Sequence, residues 1–140
     1  MVLSVATSVI KARKRREICD VVISKNEKKA EFKALFDSGN ILREAKTDKA
    51  VLVVNWDAVK ILFDTTQTFY DFVEENRKTF VPIPYKSISG HSIMLGFLPD
   101  STIANGVEID VCAAISETDL GDCYDGILPG DFEEGIKKYE

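Results

Sequence analysis

The chain is short of metal ligands, of long apolar runs and of positive charge. It has one histidine and three cysteines in 140 residues. Cys19, Cys112 and Cys123 are an odd number at irregular spacing, and with His91 as sole imidazole they make no zinc framework. They read as free thiols of a reducing compartment. A cysteine nucleophile served by His91 finds no supporting context at Cys112 or Cys123. No motif calls for a cofactor. No apolar run approaches about 20 residues, so a complete membrane span is missing. The formal net charge is −5, so the chain as a whole is not built for nucleic acid. Repeats and low-complexity segments are absent too.

What is present suits one domain with a real core: 45% of the residues are hydrophobic. Residues 2–10 are small and apolar, and Lys11, Arg13, Lys14, Arg15 and Arg16 follow them. The charges come after the apolar part, the reverse of a signal peptide. The stretch reads as the cut end of a membrane helix with a cytoplasmic basic flank, or as an arm with solvated charges. Nothing aromatic interleaves the basic run, which argues against nucleic acid there.

Residues 18–24 read as a strand, 25–29 as a polar hairpin turn, and 30–36 as the partner strand. Residues 50–54 are a dense β-branched run and a further strand. Asn55 is placed to cap a helix starting at Trp56. Trp56, Val59, Ile61, Leu62 and Phe63 approximate a helical stripe, which Asp64, Thr65 and Thr66 break. Phe69, Phe72 and Val73 form a second stripe within residues 67–78, and these aromatics read as core. Pro82 and Pro84 forbid a helix over residues 80–88 and point to an edge strand. Ser89, Gly90, His91 and Ser92 read as the turn of a second hairpin, with 93–98 returning. Residues 99–106 read as a loop, 107–116 as one alternating strand, and 131–140 as a short helical end.

The most informative stretch is Ala34-Leu35-Phe36-Asp37-Ser38-Gly39-Asn40. An apolar run, the mark of a buried strand, passes straight into four turn formers. A carboxylate therefore sits on a rigid element where a tight turn begins. Asp-Ser/Thr-Gly in this setting is the chemistry of aspartic proteolysis, in which two facing carboxylates share one proton. The Ser38 hydroxyl and the Gly39 amide suit the task of fixing such a pair. The same residues also read as a plain strand-ending turn with a solvated Asp.

Four segments in order carry a resemblance: residues 33–42 around Asp37-Ser38-Gly39-Asn40, Ile83-Pro84-Tyr85-Lys86-Ser87, residues 95–100, and Ile127-Leu128-Pro129. Together they resemble the protease domain of the sporulation sigma-E factor-processing peptidases, a retropepsin-like aspartic protease, over residue 18 to the C-terminus. The resemblance implies a mainly β fold: a closed, barrel-like retropepsin-like lobe with a helical insert at residues 56–78 and a short C-terminal helix. It implies an aspartic endopeptidase that removes the pro-segment of a sporulation sigma factor precursor. Asp37 matches the catalytic aspartate, and Ser38 and Gly39 its motif neighbours. Ser38 stands where the family usually has Thr, and Lys86 where it has Arg; Lys lacks Arg's planar bidentate pairing.

The chain holds one Asp-Ser-Gly, and Asp100-Ser101-Thr102 lacks the glycine. One half-site per chain requires a homodimer. The hairpin tip from Ile88 to Ile93, with Ser89, Gly90 and His91, would form a flap over the substrate. Ile127 and Leu128, with Gly130, would pack beneath the active-site turn. His91 also reads as an ordinary exposed turn residue. The resemblance further implies a multi-span membrane part, the cytoplasmic face of the membrane as the location, and a signalling protein acting through that part. On this expectation the chain is a soluble fragment: residues 1–16 are a juxtamembrane linker, 17–140 the protease domain, and Met1 an engineered start. The competing expectation is a non-catalytic binding or dimerisation module of the same lobe, dependent on a membrane partner.

Overall fold

A computed structural model describes residues 18–137. The proposed linker at 1–16 and the last residues of the proposed C-terminal helix lie outside the described residues. The fold is mainly β, a sheet curled into a half-barrel with short helices.

Strands β1 (Ile18–Lys25) and β2 (Lys28–Asp37) form the first hairpin. Its turn is Asn26-Glu27, both at positive φ (54° and 66°), the geometry that matches the twist of two-residue hairpins. Asp100 holds this turn from outside: its carboxylate accepts from the Asn26 amide at 3.0 Å. Cys19, Val21 and Ile23 point into the core, and β2 answers with Ala30, Phe32, Ala34 and Phe36.

β3 (Ala50–Asn55) is buried along its whole length. Ala50, Leu52 and Val54 face the main core, while Val51 and Val53 face a second cluster with Ile83, Cys112 and Ala114. An unbroken apolar run is what a strand covered on both faces requires.

The helical insert follows as α1 (Trp56–Val59), a 3₁₀ turn (Lys60–Phe63), α2 (Phe69–Asn76) and a second 3₁₀ turn (Arg77–Thr79). Asp64, left-handed at φ 54°, ends the first half. Asn55 stands at the cap position of α1 but makes no side-chain capping bond. Its amide nitrogen is turned instead to Asp125 Oδ1 at 3.2 Å. The true side-chain cap is Thr68, which accepts from the Asp71 amide at 3.2 Å and starts α2. Trp56, Phe63, Phe69, Phe72 and Phe80 pack ring on ring with centroids 5.0–6.0 Å apart. The aromatic stripes are core, as the sequence indicates.

β4 (Val81–Ser87) and β5 (Gly90–Phe97) form the second hairpin. β4 ends the sheet, where its two prolines are tolerated. Two expectations fail further on. Residues 99–106 are not all loop: β6 (Ser101–Ala104) pairs with β1, a contact between distant segments that no local pattern announces. Residues 107–116 are two strands, β7 (Val107–Ile109) and β8 (Val111–Ser116). Asp110 separates them and pairs with Lys49 at 2.9 Å. β7 lies at the far edge, while β8 runs through the centre, parallel to β3. β9 (Gly126–Pro129) leads into a 3₁₀ turn (Gly130–Phe132) and α3 (Glu133–Lys137).

The strand order is β4-β5-β8-β3-β9-β2-β1-β6-β7. β2 and β3 are consecutive, yet β9 lies between them, parallel to β2 and antiparallel to β3.

The connection from β2 to β3 is tied by Glu44, a buried carboxylate. Its Oε2 accepts from the amides of Lys46 (2.5 Å) and Thr47 (2.8 Å) and from the Thr47 hydroxyl (3.3 Å). The Thr47 amide is the largest cause that holds its pKa below the usual carboxylate range. A carboxylate lowered on folding stabilises above its unfolded pKa and loses that contribution as pH falls through the folded value. Glu44→Gln should therefore lower stability in urea denaturation at pH 7, and the gap to wild type should close as the pH drops below the ordinary glutamate range.

Candidate active site

Asp37 is the last residue of β2 and is exposed. Its carbonyl accepts from the Asn40 amide at 3.0 Å, closing the turn. Its Oδ1 accepts from the Gly39 amide at 2.8 Å, so the carboxylate is aimed by the turn itself. Asn40 anchors the turn to the sheet: its Nδ2 donates to Val51 O on β3 at 2.8 Å and to Ile127 O on β9 at 3.2 Å. Its Oδ1 accepts from the Leu42 amide at 3.3 Å. One side chain thus bridges the three segments that meet at the carboxylate. Ser38 is exposed beside it.

β9 supplies the support beneath. Ile127 pairs with Leu35, Leu128 with Phe36, and Pro129 with Asp37. Leu128 is fully buried in the core, and Ile127 lies on the floor of the cleft. Gly130 packs on the turn: a Cβ there would stand 2.8 Å from Ser38 Cα and 2.9 Å from its nitrogen. The intervening Pro129 does not carry Gly130 away.

A cleft of about 730 Å3 opens over Asp37. Gly39, Asn40, Leu42 and Ile127 form its floor, and Tyr85, Lys86, Ile93, Met94 and Leu95 of the second hairpin form one wall. Phe69 and Arg77 of the insert also line it, with Ile115 and Ser116 at the end of β8 and Glu117, Thr118 and Leu120 just after it. Arg77 and Lys86 have no ion pair among the described residues.

The hairpin tip differs from its expected position. The turn is Ile88-Ser89, with Ser87 opposite Gly90; His91 lies on β5 opposite Lys86. Ser89, Gly90 and His91 do not line the cleft in the single chain; the stem of the hairpin does. Gly90 has φ +122°, open to glycine and rarely to other residues. The Ser87 hydroxyl donates to Gly90 O at 3.1 Å and closes the tip. Ile88, at one end of the expected flap, stands fully exposed at the tip, and Ile93, at its other end, lines the cleft; the lining residues Leu42, Tyr85 and Leu120 had no role assigned from the sequence. Their signal is an apolar residue left half-buried on the outer side of a strand or turn.

Asp100 is engaged in holding the first hairpin. Cys112 is fully buried, its thiol donates to Phe97 O at 3.4 Å, and burial, with the Glu44 charge second, pushes it up to about 11. It is a protonated structural thiol, not a nucleophile. Cys19 is buried and Cys123 exposed.

The contact of Gly130 with Ser38 is backbone on backbone, so no rotamer can relieve a methyl group there. Gly130→Ala should cost about 1–3 kcal/mol of stability and displace the turn, read as amide chemical-shift changes concentrated at Ser38, Gly39 and Asn40. Unchanged shifts there would show that Gly130 does not set the turn.

No curated protein matches the chain. The family model described as Sporulation factor SpoIIGA, a peptidase family, matches residues 1–123, well over half of the sequence, including the Asp37 turn, both hairpins and the insert. The cleft described above is thus carried by a chain that belongs to the SpoIIGA family of sporulation-factor peptidases, proteases of sporulation processing.

Proposed function

We propose that the protein is a retropepsin-like aspartic endopeptidase that removes the pro-segment of a sporulation sigma factor precursor, with one Asp37 from each of two copies. The observation that carries this reading is the turn at Asp37. Its carboxylate is oriented by the Gly39 amide, tied to β3 and β9 through Asn40, and backed by Gly130. Much bonding is spent on placing one exposed acid beside a peptide-sized cleft. The insertion of β9 between β2 and β3 supports the retropepsin-like assignment, because it sets Pro129 beside the acid and gives Asn40 the Ile127 carbonyl to hold.

A single exposed carboxylate has no partner with which to share a proton, and the described residues hold no second Asp-Ser-Gly. The second carboxylate comes from Asp37 of the partner subunit across a two-fold axis. Ile41, directly after the turn, is 82% exposed and supplies apolar surface for that contact. In the pair, the ionised carboxylate takes a proton from water while the oxygen attacks the scissile carbonyl carbon. The protonated carboxyl gives its proton to the carbonyl oxygen. The tetrahedral diol then collapses: the C–N bond breaks, the amine leaves with the proton held by one carboxyl, and a diol hydroxyl gives its proton to the other carboxylate as it becomes the new carbonyl, which restores the shared proton. The second hairpin, with Ile88 at its tip, closes over the bound peptide and excludes water. On the family's pattern a signalling protein acts through a membrane part at the cytoplasmic face. Among the described residues no helix is long and apolar enough to cross a membrane.

Co-expression with a sigma factor precursor tests the reading. Wild type should release a product of lower mass, and Asp37→Asn, which keeps the size but not the acid, should slow cleavage at least about a thousand-fold. Equal cleavage by both would point to another nucleophile and sink the aspartic assignment. Ile41→Asp should keep the circular dichroism spectrum of wild type, shift the sedimentation of the chain from dimer to monomer, and remove cleavage together with the dimer.

A further inference from the structure

The cleft at Asp37 does not stop at Phe69. A second cavity of about 350 Å3 opens there and shares Phe69, Ser116, Glu117 and Thr118 with the first. The insert builds its other wall. The two compartments differ in charge. Arg77 and Lys86 line only the first, beside the Asp37 carboxylate, whereas the second has no cation and is lined by Asp57 and Asp119, with Glu117 at the junction. Asp57 is engaged with Lys60 at 3.2 Å, but Glu117 and Asp119 have no ion pair among the described residues. Tyr70 lends an exposed ring to the same cavity. Asn55, also in its wall, is 7% exposed, and its Oδ1 is buried without a hydrogen-bond partner. Its nitrogen is already given to Asp125. A buried acceptor without a partner is unfavourable, and a donor brought into this wall by a ligand would relieve it.

We propose that this cavity is a subsite for one lysine or arginine side chain of the peptide held in the Asp37 cleft. The proposal rests on the reading of that cleft as a peptide-cutting site. Unpaired carboxylates, an aromatic face and a carbonyl acceptor without a partner in the wall all ask for a group that is cationic and only donates. Lysine and arginine are the side chains of that kind. Their aliphatic stems pack along apolar walls such as Phe69 and Tyr70 while the charged head reaches the acids. Continuity with the cleft makes the cation part of the same extended chain. The insert then has a purpose beyond its own packing: it lengthens the cleft and reads charge on the substrate.

The experiment measures cleavage of the precursor by the full chain, by Glu117→Gln/Asp119→Asn, and by Asp37→Asn. It uses precursors in which each basic residue around the cut is changed to Gln in turn. Both acids are exposed, so the double variant keeps the fold. We expect the double variant to raise KM about ten-fold with kcat little changed and to weaken the salt dependence of kcat/KM. One basic-to-Gln precursor should show the same loss with wild type and no further loss with the double variant. If the double variant keeps the wild-type KM while Asp37→Asn is inactive, the subsite is overturned and the protease reading stands. If Asp37→Asn cuts like wild type, the cleft reading fails and the subsite fails with it.

Discussion

The Asn40 side chain is the bond on which the site depends. It reaches the carbonyls of Val51 on β3 and Ile127 on β9, the strand that fills the gap between β2 and β3. Without β9 there would be no Ile127 carbonyl to accept, no Leu128 beneath Phe36, and no Gly130 against Ser38. The turn at Asp37 is short and polar and could not hold one geometry alone. It is held because two strands and a returning third strand converge on it through one amide. The buried mass of β3 and β8 behind it gives the bond a rigid base.

Much of this was readable in the chain, and what was not has a common cause. The two hairpins, the buried β3, the aromatic core of the insert and the edge position of the prolines follow from local pattern. The apolar run into Asp-Ser-Gly-Asn placed the carboxylate at a strand end. The failures are pairings between distant segments. Four residues at Ser101–Ala104 do not announce that β1 will accept them as a neighbour, and the change of direction at Asp110 is one charge inside an otherwise strand-like run. Asn55 has the right position for a cap, but Asp125, seventy residues away, claims its amide. The hairpin tip sits at Ile88-Ser89 because the register is set by β5 pairing with β4, not by the string of small residues that looks most flexible. Gly130 was legible only loosely, since an intervening proline hides what a parallel register makes plain.

The cleft itself is the least local feature. Its walls come from the Asp37 turn, the insert, the second hairpin and the segment after β8, and it has cations at one part and anions at another. No single stretch of sequence has that polarity. It emerges because α2 and the segment after β8 are brought beside the end of β3. A chain of net charge −5 thus offers a substrate two cations beside Asp37 and an all-acidic region beyond Phe69 rather than a uniform acidic surface.

The prolines of β4 have a consequence outside the site. Pro82 and Pro84 both stand on the outermost strand, paired to Leu95 and Ile93 on its inner side. A ring nitrogen donates nothing, so the outer rim of the sheet presents carbonyls with two donors missing in succession. A free strand from another molecule cannot zip onto such a rim. At the opposite rim β7 is three residues long, too short to seed a ladder. The molecule is therefore guarded at both ends against growing into a fibre, and its self-recognition is left to faces and turns.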